Sequence, residues 1–150
     1  MITIRPAKFQ EIGTLAGFQI RLAFETEAVS LNEDVVTTGI EALFNDPGKG
    51  VYFVAEKEGA IAGCFLITYE WSDWRNGTIW WLQSVYVSKP YRRQGIFRKM
   101  YDYLIETIRH DAAIIGLRLY VEKSNSSAQR VYSSLGMNGD HYTVFEWMRT

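Results

Sequence analysis

Apolar and polar positions regroup along this chain in a way that marks its elements. Ile2 to Arg5 alternates as a short strand, and Pro6 ends it. From about Phe9 to Ser30 the residues read as helix, with breaks near Gly13 and Gly17. Asp46-Pro47-Gly48-Lys49-Gly50 is a turn. Val51 to Ala55 reads as a strand, Glu58-Gly59 as a hairpin turn and Ala60 to Tyr69 as the returning strand. Asn76-Gly77 suits a second tight hairpin, and Thr78 to Val87 is the strand after it. Next, Phe97, Met100, Tyr101, Leu104, Ile105 and Ile108 fall at three- and four-residue spacings on one helical face. Leu117 to Val121 is strand-like. Asn125 or Ser126 caps a further helix that Gly136 ends, and Tyr142 to Met148 is a closing strand. This order predicts one α/β domain over residues 1–150, a mixed sheet with helices on both faces.

Composition narrows the function classes. A chain of 150 residues can bury a real core. Its 16 basic and 17 acidic residues leave no electrostatic footprint for nucleic acid. No apolar run is long enough to span a membrane, and the N-terminus lacks a signal-peptide pattern, so a cytoplasmic location is expected. The single Cys64 excludes an internal disulfide and suits a reducing compartment. It sits in the apolar run Ile61 to Ile67, where a buried structural thiol is expected. His110 and His141 have no partner at ligand spacing, so no metal is expected.

The run Ser84-Val85-Tyr86-Val87-Ser88-Lys89-Pro90-Tyr91-Arg92-Arg93-Gln94-Gly95-Ile96-Phe97-Arg98-Lys99 carries the most chemistry. A β-branched strand ends at a proline, a basic turn with one glycine follows, and an amphipathic helix begins. Such a unit presents unpaired backbone N–H groups and a positive helix end to an anion. Gly95 lets the backbone come close to a bound phosphate. No Gly-Lys-Ser/Thr follows, and three spaced glycines are absent, so neither common nucleotide fingerprint applies.

The turn resembles the pyrophosphate-binding segment of the GNAT superfamily of acetyl-CoA-dependent N-acetyltransferases. In that pattern a Gln or Arg is followed by two residues, Gly, one residue, and Gly or Ala. Arg92, Gly95 and Phe97 hold these places, and the bulky Phe97 departs from it. A second segment is similar to the family as well: Asn125, Ala128, Tyr132, Gly136 and Met137, with Met137 in place of the more usual Phe. The resemblance implies a mixed, mostly antiparallel central sheet and acetyl-CoA as co-substrate. It also implies site roles. Val85, Tyr86 and Val87 would lend backbone groups to the pantetheine arm, and Asn125 a hydrogen bond to it. Arg92, Arg93, Gln94, Gly95, Ile96, Phe97 and Arg98 would hold the pyrophosphate. Tyr132 would protonate the departing thiolate, as a phenol of ordinary pKa about 10 can.

The acceptor side is more open. Relatives such as the diamine acetyltransferases carry a carboxylate nine residues before the motif arginine, where this chain has Gln83, which cannot take a proton. Glu25 or Glu27 could fill the gap as general base. Residues two apart on a helix do not share a face, so at most one points at a substrate. Trp71, Trp74, Trp80 and Trp81 account for four of the five tryptophans. A hairpin bearing Trp71 and Trp74 with Glu70 and Asp73 suits stacking on a cationic amine. It suits a subunit interface, and hence a homodimer, equally well. The expected activity is acetyl transfer to a primary amine of a small molecule, by direct attack in a ternary complex. The alternatives are a module that binds acyl-CoA without turnover and an acetyltransferase acting on protein or peptide.

Overall fold

Short turns link β2 to β3 and β3 to β4 in a single five-stranded sheet whose strands lie in chain order, β1-β2-β3-β4-β5. The strands are β1 (Ile2–Pro6), β2 (Val51–Lys57), β3 (Ala60–Ser72), β4 (Gly77–Val87) and β5 (Ile114–Arg118). All pairs are antiparallel except β4 with β5, which is parallel. The four helices are α1 (Ile12–Glu27), α2 (Glu33–Asn45), α3 (Ile96–Arg109) and α4 (Ser126–Ser134). The structure is a computed structural model that describes residues Met1–Thr150 and divides into two compact units, Met1–Arg118 and Leu119–Thr150.

Local chemistry accounts for the turns. Glu58 and Gly59 both adopt positive φ (52° and 80°), the backbone a two-residue hairpin between right-twisted strands requires. The second hairpin is longer than expected. Its loop runs over residues 73–76, with Asn76 at φ 48°, and Gly77 already pairs with Ser72 in the ladder. Gly77 is needed for close approach: a Cβ there would stand 2.4 Å from Ile115 Cγ2. A side chain at this position would have to displace that of Ile115 on β5.

Alternation along β2 divides the core. Tyr52 and Val54 join Cys64, Leu66 and Tyr86 under α1 and α2, which contribute Ile12, Leu15, Phe18 and Ile40. Phe53 points the other way, stacks on Phe65 (centroids 5.0 Å apart) and meets Tyr103 of α3 at 5.6 Å. Ile96, Met100 and Leu104 of α3 are almost fully buried. Fully burying one such side chain contributes about 1.5–3 kcal/mol. Helices therefore cover both faces, as the sequence predicts.

Other expectations change as well, and β5 lies at Ile114–Arg118 rather than Leu117 to Val121. α1 runs unbroken through Gly13 and Gly17, after a 3-10 turn at Phe9–Glu11. α2 was not foreseen: Asn32 caps it by accepting from the Val35 N–H at 3.0 Å, and Val36, Ile40, Leu43 and Phe44 make its apolar stripe. In the second unit, Asn125 caps α4 and Gly136 (φ 91°) follows its end as expected, but Tyr142 to Met148 form no strand within that unit. A strand needs a ladder partner, and these 32 residues supply none.

Candidate functional site

β4 is the backbone of the site. On one side it pairs with β3 along its length. On the other, the parallel ladder with β5 runs only from Thr78 to Trp81. Leu82 to Val87 thus extend past that ladder, and their edge groups on that side are not used by it. The β3 ladder is also irregular here. Leu66 pairs with Gln83 and Cys64 with Tyr86, so Ser84 and Val85 together face the single residue Phe65. Ser84 takes a φ of 54°. Such a bulge turns backbone groups out of the ladder and re-aims them.

A buried polar cluster supports the bulge. The Cys64 thiol donates to Ser84 O at 3.7 Å, and Gln19 Nε2 donates to Cys64 Sγ at 3.6 Å. Burial pushes the Cys64 thiol up to about 12, so it stays protonated and is no nucleophile. Burial raises the Tyr52 phenol as well.

The basic turn follows. A 3-10 turn at Lys89–Tyr91 leads to Arg92, whose Nε donates to Val87 O at 2.8 Å and whose Nη2 donates to Glu25 Oε2 at 2.7 Å. Its guanidinium also lies 5.4 Å from the Tyr86 ring centroid. Arg92 therefore braces the turn. Glu25 also accepts from Tyr86 Oη at 3.4 Å and stands 3.5 Å from Lys89 Nζ. The Arg92 hydrogen bond holds the Glu25 carboxyl below its ordinary value. Gln94 is fixed too: its Oε1 accepts from Lys57 Nζ at 2.5 Å, and its Nε2 donates to Pro90 O at 2.9 Å.

Arg93 (φ 63°) and Gly95 (φ 79°) then curl the chain into α3. The first helical bond is Lys99 N to Gly95 O, which leaves the N–H groups of Ile96, Phe97 and Arg98 ahead of the ladder. Ile96 points into the core, while Phe97 leans on Tyr101 at 6.4 Å. A Cβ on Gly95 would meet nothing within 4 Å. Arg93 and Lys99 have no acidic partner, and Arg98 has only the exposed Asp102 at 3.0 Å. Open space, aimed N–H groups and unneutralised cations fit a pyrophosphate.

In the second unit, Asn125 Oδ1 accepts from the Ala128 N–H at 3.1 Å, so its side chain serves as a helix cap. Burial raises the Tyr132 phenol, which keeps its proton at neutral pH.

The acceptor residues do not gather as expected. Gln83 donates to Thr68 Oγ1 at 2.6 Å. Glu70 accepts from Trp81 Nε1 at 2.8 Å and from Arg118 at 2.8 and 3.0 Å. Glu27 is the exposed last residue of α1, which ends at Ala28 in the left-handed region. Trp71 and Trp74 are 63% and 90% exposed. Trp71 pairs with Thr78 at the start of β4, whereas Glu25 bonds to Tyr86 near its end. Eight residues at about 3.3 Å each put these points about 26 Å apart along the strand. The tryptophan hairpin and Glu25 do not share one pocket. Register along β4, invisible in local sequence, decides this.

A bulged strand freed from its neighbour, running into a cationic turn and a helix N-terminus, is the architecture of an enzyme that takes an acyl group from a CoA thioester. The chain belongs to the GNAT acetyltransferase family, whose model matches residues 18–137, and it is an acyltransferase. No curated protein matches it. It is 43% identical to a possible acetyltransferase from Clostridium difficile 630, covering 100% of this chain and 99% of that one with a TM-score of 0.94. A predicted acetyltransferase from Clostridium acetobutylicum, solved with acetyl-CoA, is 19% identical over 97% of this chain and 96% of its own, with a TM-score of 0.76. Glucosamine-6-phosphate N-acetyltransferase from Arabidopsis thaliana is 18% identical over 99% of each chain, with a TM-score of 0.71. The last two share the fold. No helix is long and apolar enough to cross a membrane.

Proposed function

We propose that this protein moves the acetyl group of acetyl-CoA to the primary amine of a small molecule, by direct attack in a ternary complex. The observation that carries this reading is the turn from Arg93 to Arg98, which combines left-handed backbone, open space at Gly95 and the unpaired cation of Arg93. These residues take the pyrophosphate. The Val85–Val87 edge takes the pantetheine arm, with Asn125 adding a hydrogen bond to it. The family match runs across both units, which supports one catalytic domain over residues 1–150.

The chemistry then falls to a few groups. A free alkylamine has a pKa of about 10.4 and must lose a proton before attack. Glu27, directly or through water, is the base we favour. Glu25 is held by Arg92 and Lys89, and a carboxylate so stabilised is a poor proton acceptor. As the C–N bond forms, a backbone N–H at the Ser84–Val85 bulge takes up charge on the oxyanion. As the C–S bond breaks, Tyr132 gives its phenol proton to the sulfur. Gln83 lines the acceptor side as a neutral hydrogen-bonding group. A cytoplasmic homodimer, associating through the exposed Trp71–Trp74 hairpin, completes the reading.

The test is CoA thiol release with acetyl-CoA and a broad panel of primary amines. Stoichiometric acetylation of at least one amine is expected. Tight CoA binding with no turnover on any of them would overturn the proposal in favour of a binding module.

A further inference from the structure

Arg21 of α1 is fixed in place without a counter-ion. Its guanidinium carbon lies 5.4 Å from the Phe18 ring centroid and 5.9 Å from that of Tyr86. It folds back over Gly17: a Cβ at that glycine would sit 3.6 Å from both terminal nitrogens. Two aromatic faces and a glycine notch thus orient the fork while leaving the residue exposed. The natural partner on a helix is the residue four further on, Glu25. That carboxylate instead binds Arg92 at 2.7 Å and Lys89 at 3.5 Å. Around Tyr86, three cationic side chains therefore share one carboxylate, and Arg21 is the one left without an acid.

The position matters because of Tyr86. It lies on β4 just past the Ser84–Val85 bulge, on the face that α1 covers. An ordered, un-neutralised guanidinium beside that strand has the five N–H donors and planar fork that match a carboxylate or phosphate. The pyrophosphate already has its own cations, Arg93 on the turn and Lys99 in the first turn of α3.

We infer that Arg21 binds an anionic group of the acceptor, so that the substrate is an amine that also bears a carboxylate or a phosphate. This rests on the transferase reading above and narrows its substrate class. Arg21 would take the acid end of one zwitterionic molecule while its amino end meets the thioester.

The experiment compares matched pairs that differ only in the anion: amino acids against their amides, β-alanine against propylamine, and phosphoethanolamine against ethanolamine. With wild-type enzyme, the anion-bearing member of at least one pair should have the higher kcat/KM by about tenfold or more, the order of a charge-assisted hydrogen bond. The amino-acid and phosphoethanolamine arms separate carboxylate from phosphate. Arg21→Gln should remove that preference through KM, leave kcat/KM for the uncharged member unchanged, and leave the Kd for CoA unchanged. Arg21→Lys should restore part of it. Equal use of both members by wild type overturns the inference while leaving the transferase standing. So does an Arg21→Gln protein that loses CoA affinity, which would assign Arg21 to the cofactor. So does an equal loss on both members, which would make its role structural. Absence of turnover on every amine overturns the transferase reading, and this inference with it.

Discussion

Replacing Gly63 by alanine tests how tightly the site depends on β3 lying against β4. A Cβ at Gly63 would stand 2.5 Å from Tyr86 O and 3.3 Å from Val87 Cα, both backbone atoms. Carbon–oxygen contacts settle at about 3.3–3.6 Å, so the strands must separate by roughly 0.8 Å. They are not free to do so. Gly63 pairs with Val87, Cys64 with Tyr86, and Ser88 N donates to Ala62 O at 2.8 Å. Overpacking of this kind costs about 1–3 kcal/mol. At about 2–4 °C per kcal/mol for a chain of this size, Tm should fall by about 2–12 °C. Gly39→Ala in α2 is the control. No atom lies within 4 Å of its Cβ, and alanine in a helix interior gains about 0.5–1 kcal/mol over glycine. Thermal melts of both proteins give the stability, and CoA titration gives the site. Gly63→Ala should melt lower and bind CoA more weakly, because Tyr86 and Val87 are displaced. Gly39→Ala should melt slightly higher and bind normally. A Gly63→Ala protein that melts at or above wild type would refute the geometry.

Three further outcomes follow from the site. Tyr132→Phe should lower kcat by about tenfold or more with the Kd for CoA unchanged, since only the proton donor is lost; unaltered turnover with chemistry rate-limiting would reduce Tyr132 to packing. Cys64, with its thiol raised to about 12 by burial, should resist Ellman's reagent at pH 8 in the folded protein and react once urea unfolds it; rapid labelling of the native chain would contradict the burial. Arg5 lowers the Glu11 carboxyl, Arg92 lowers Glu25, and Trp81 with Arg118 lowers Glu70. Unfolding raises each toward its ordinary value of about 4.3, so their contribution is complete above that pH and is lost as pH falls through the native values. Melts from pH 7 to pH 3 should show this acid loss, and Glu11→Gln should flatten part of it.

The features legible in the amino-acid sequence are those that short stretches of backbone determine. The turn from Arg92 to Arg98 was legible because a β-branched strand, a proline, one glycine and an amphipathic helix follow one another within a few residues. The caps at Asn125 and Gly136 and the Glu58-Gly59 hairpin are local in the same sense: each depends on a φ angle or an N–H that its own neighbours supply. α2 was not legible, because Val35, Val36, Thr37, Thr38 and Gly39 are weak helix formers. Packing against α1 and the edge-to-face contact of Phe44 with Phe9, at 5.9 Å, hold it instead. The role of Glu25 lay further out of reach. As an acidic residue on an apolar helix it reads as a free base, yet it meets Arg92, 67 positions away. The placing of Trp71 far along β4 from Tyr86 depends likewise on strand register. Such pairings follow from how α1 crosses the sheet and how β3 and β4 align, and those are set by burial summed over the whole core rather than by any one segment.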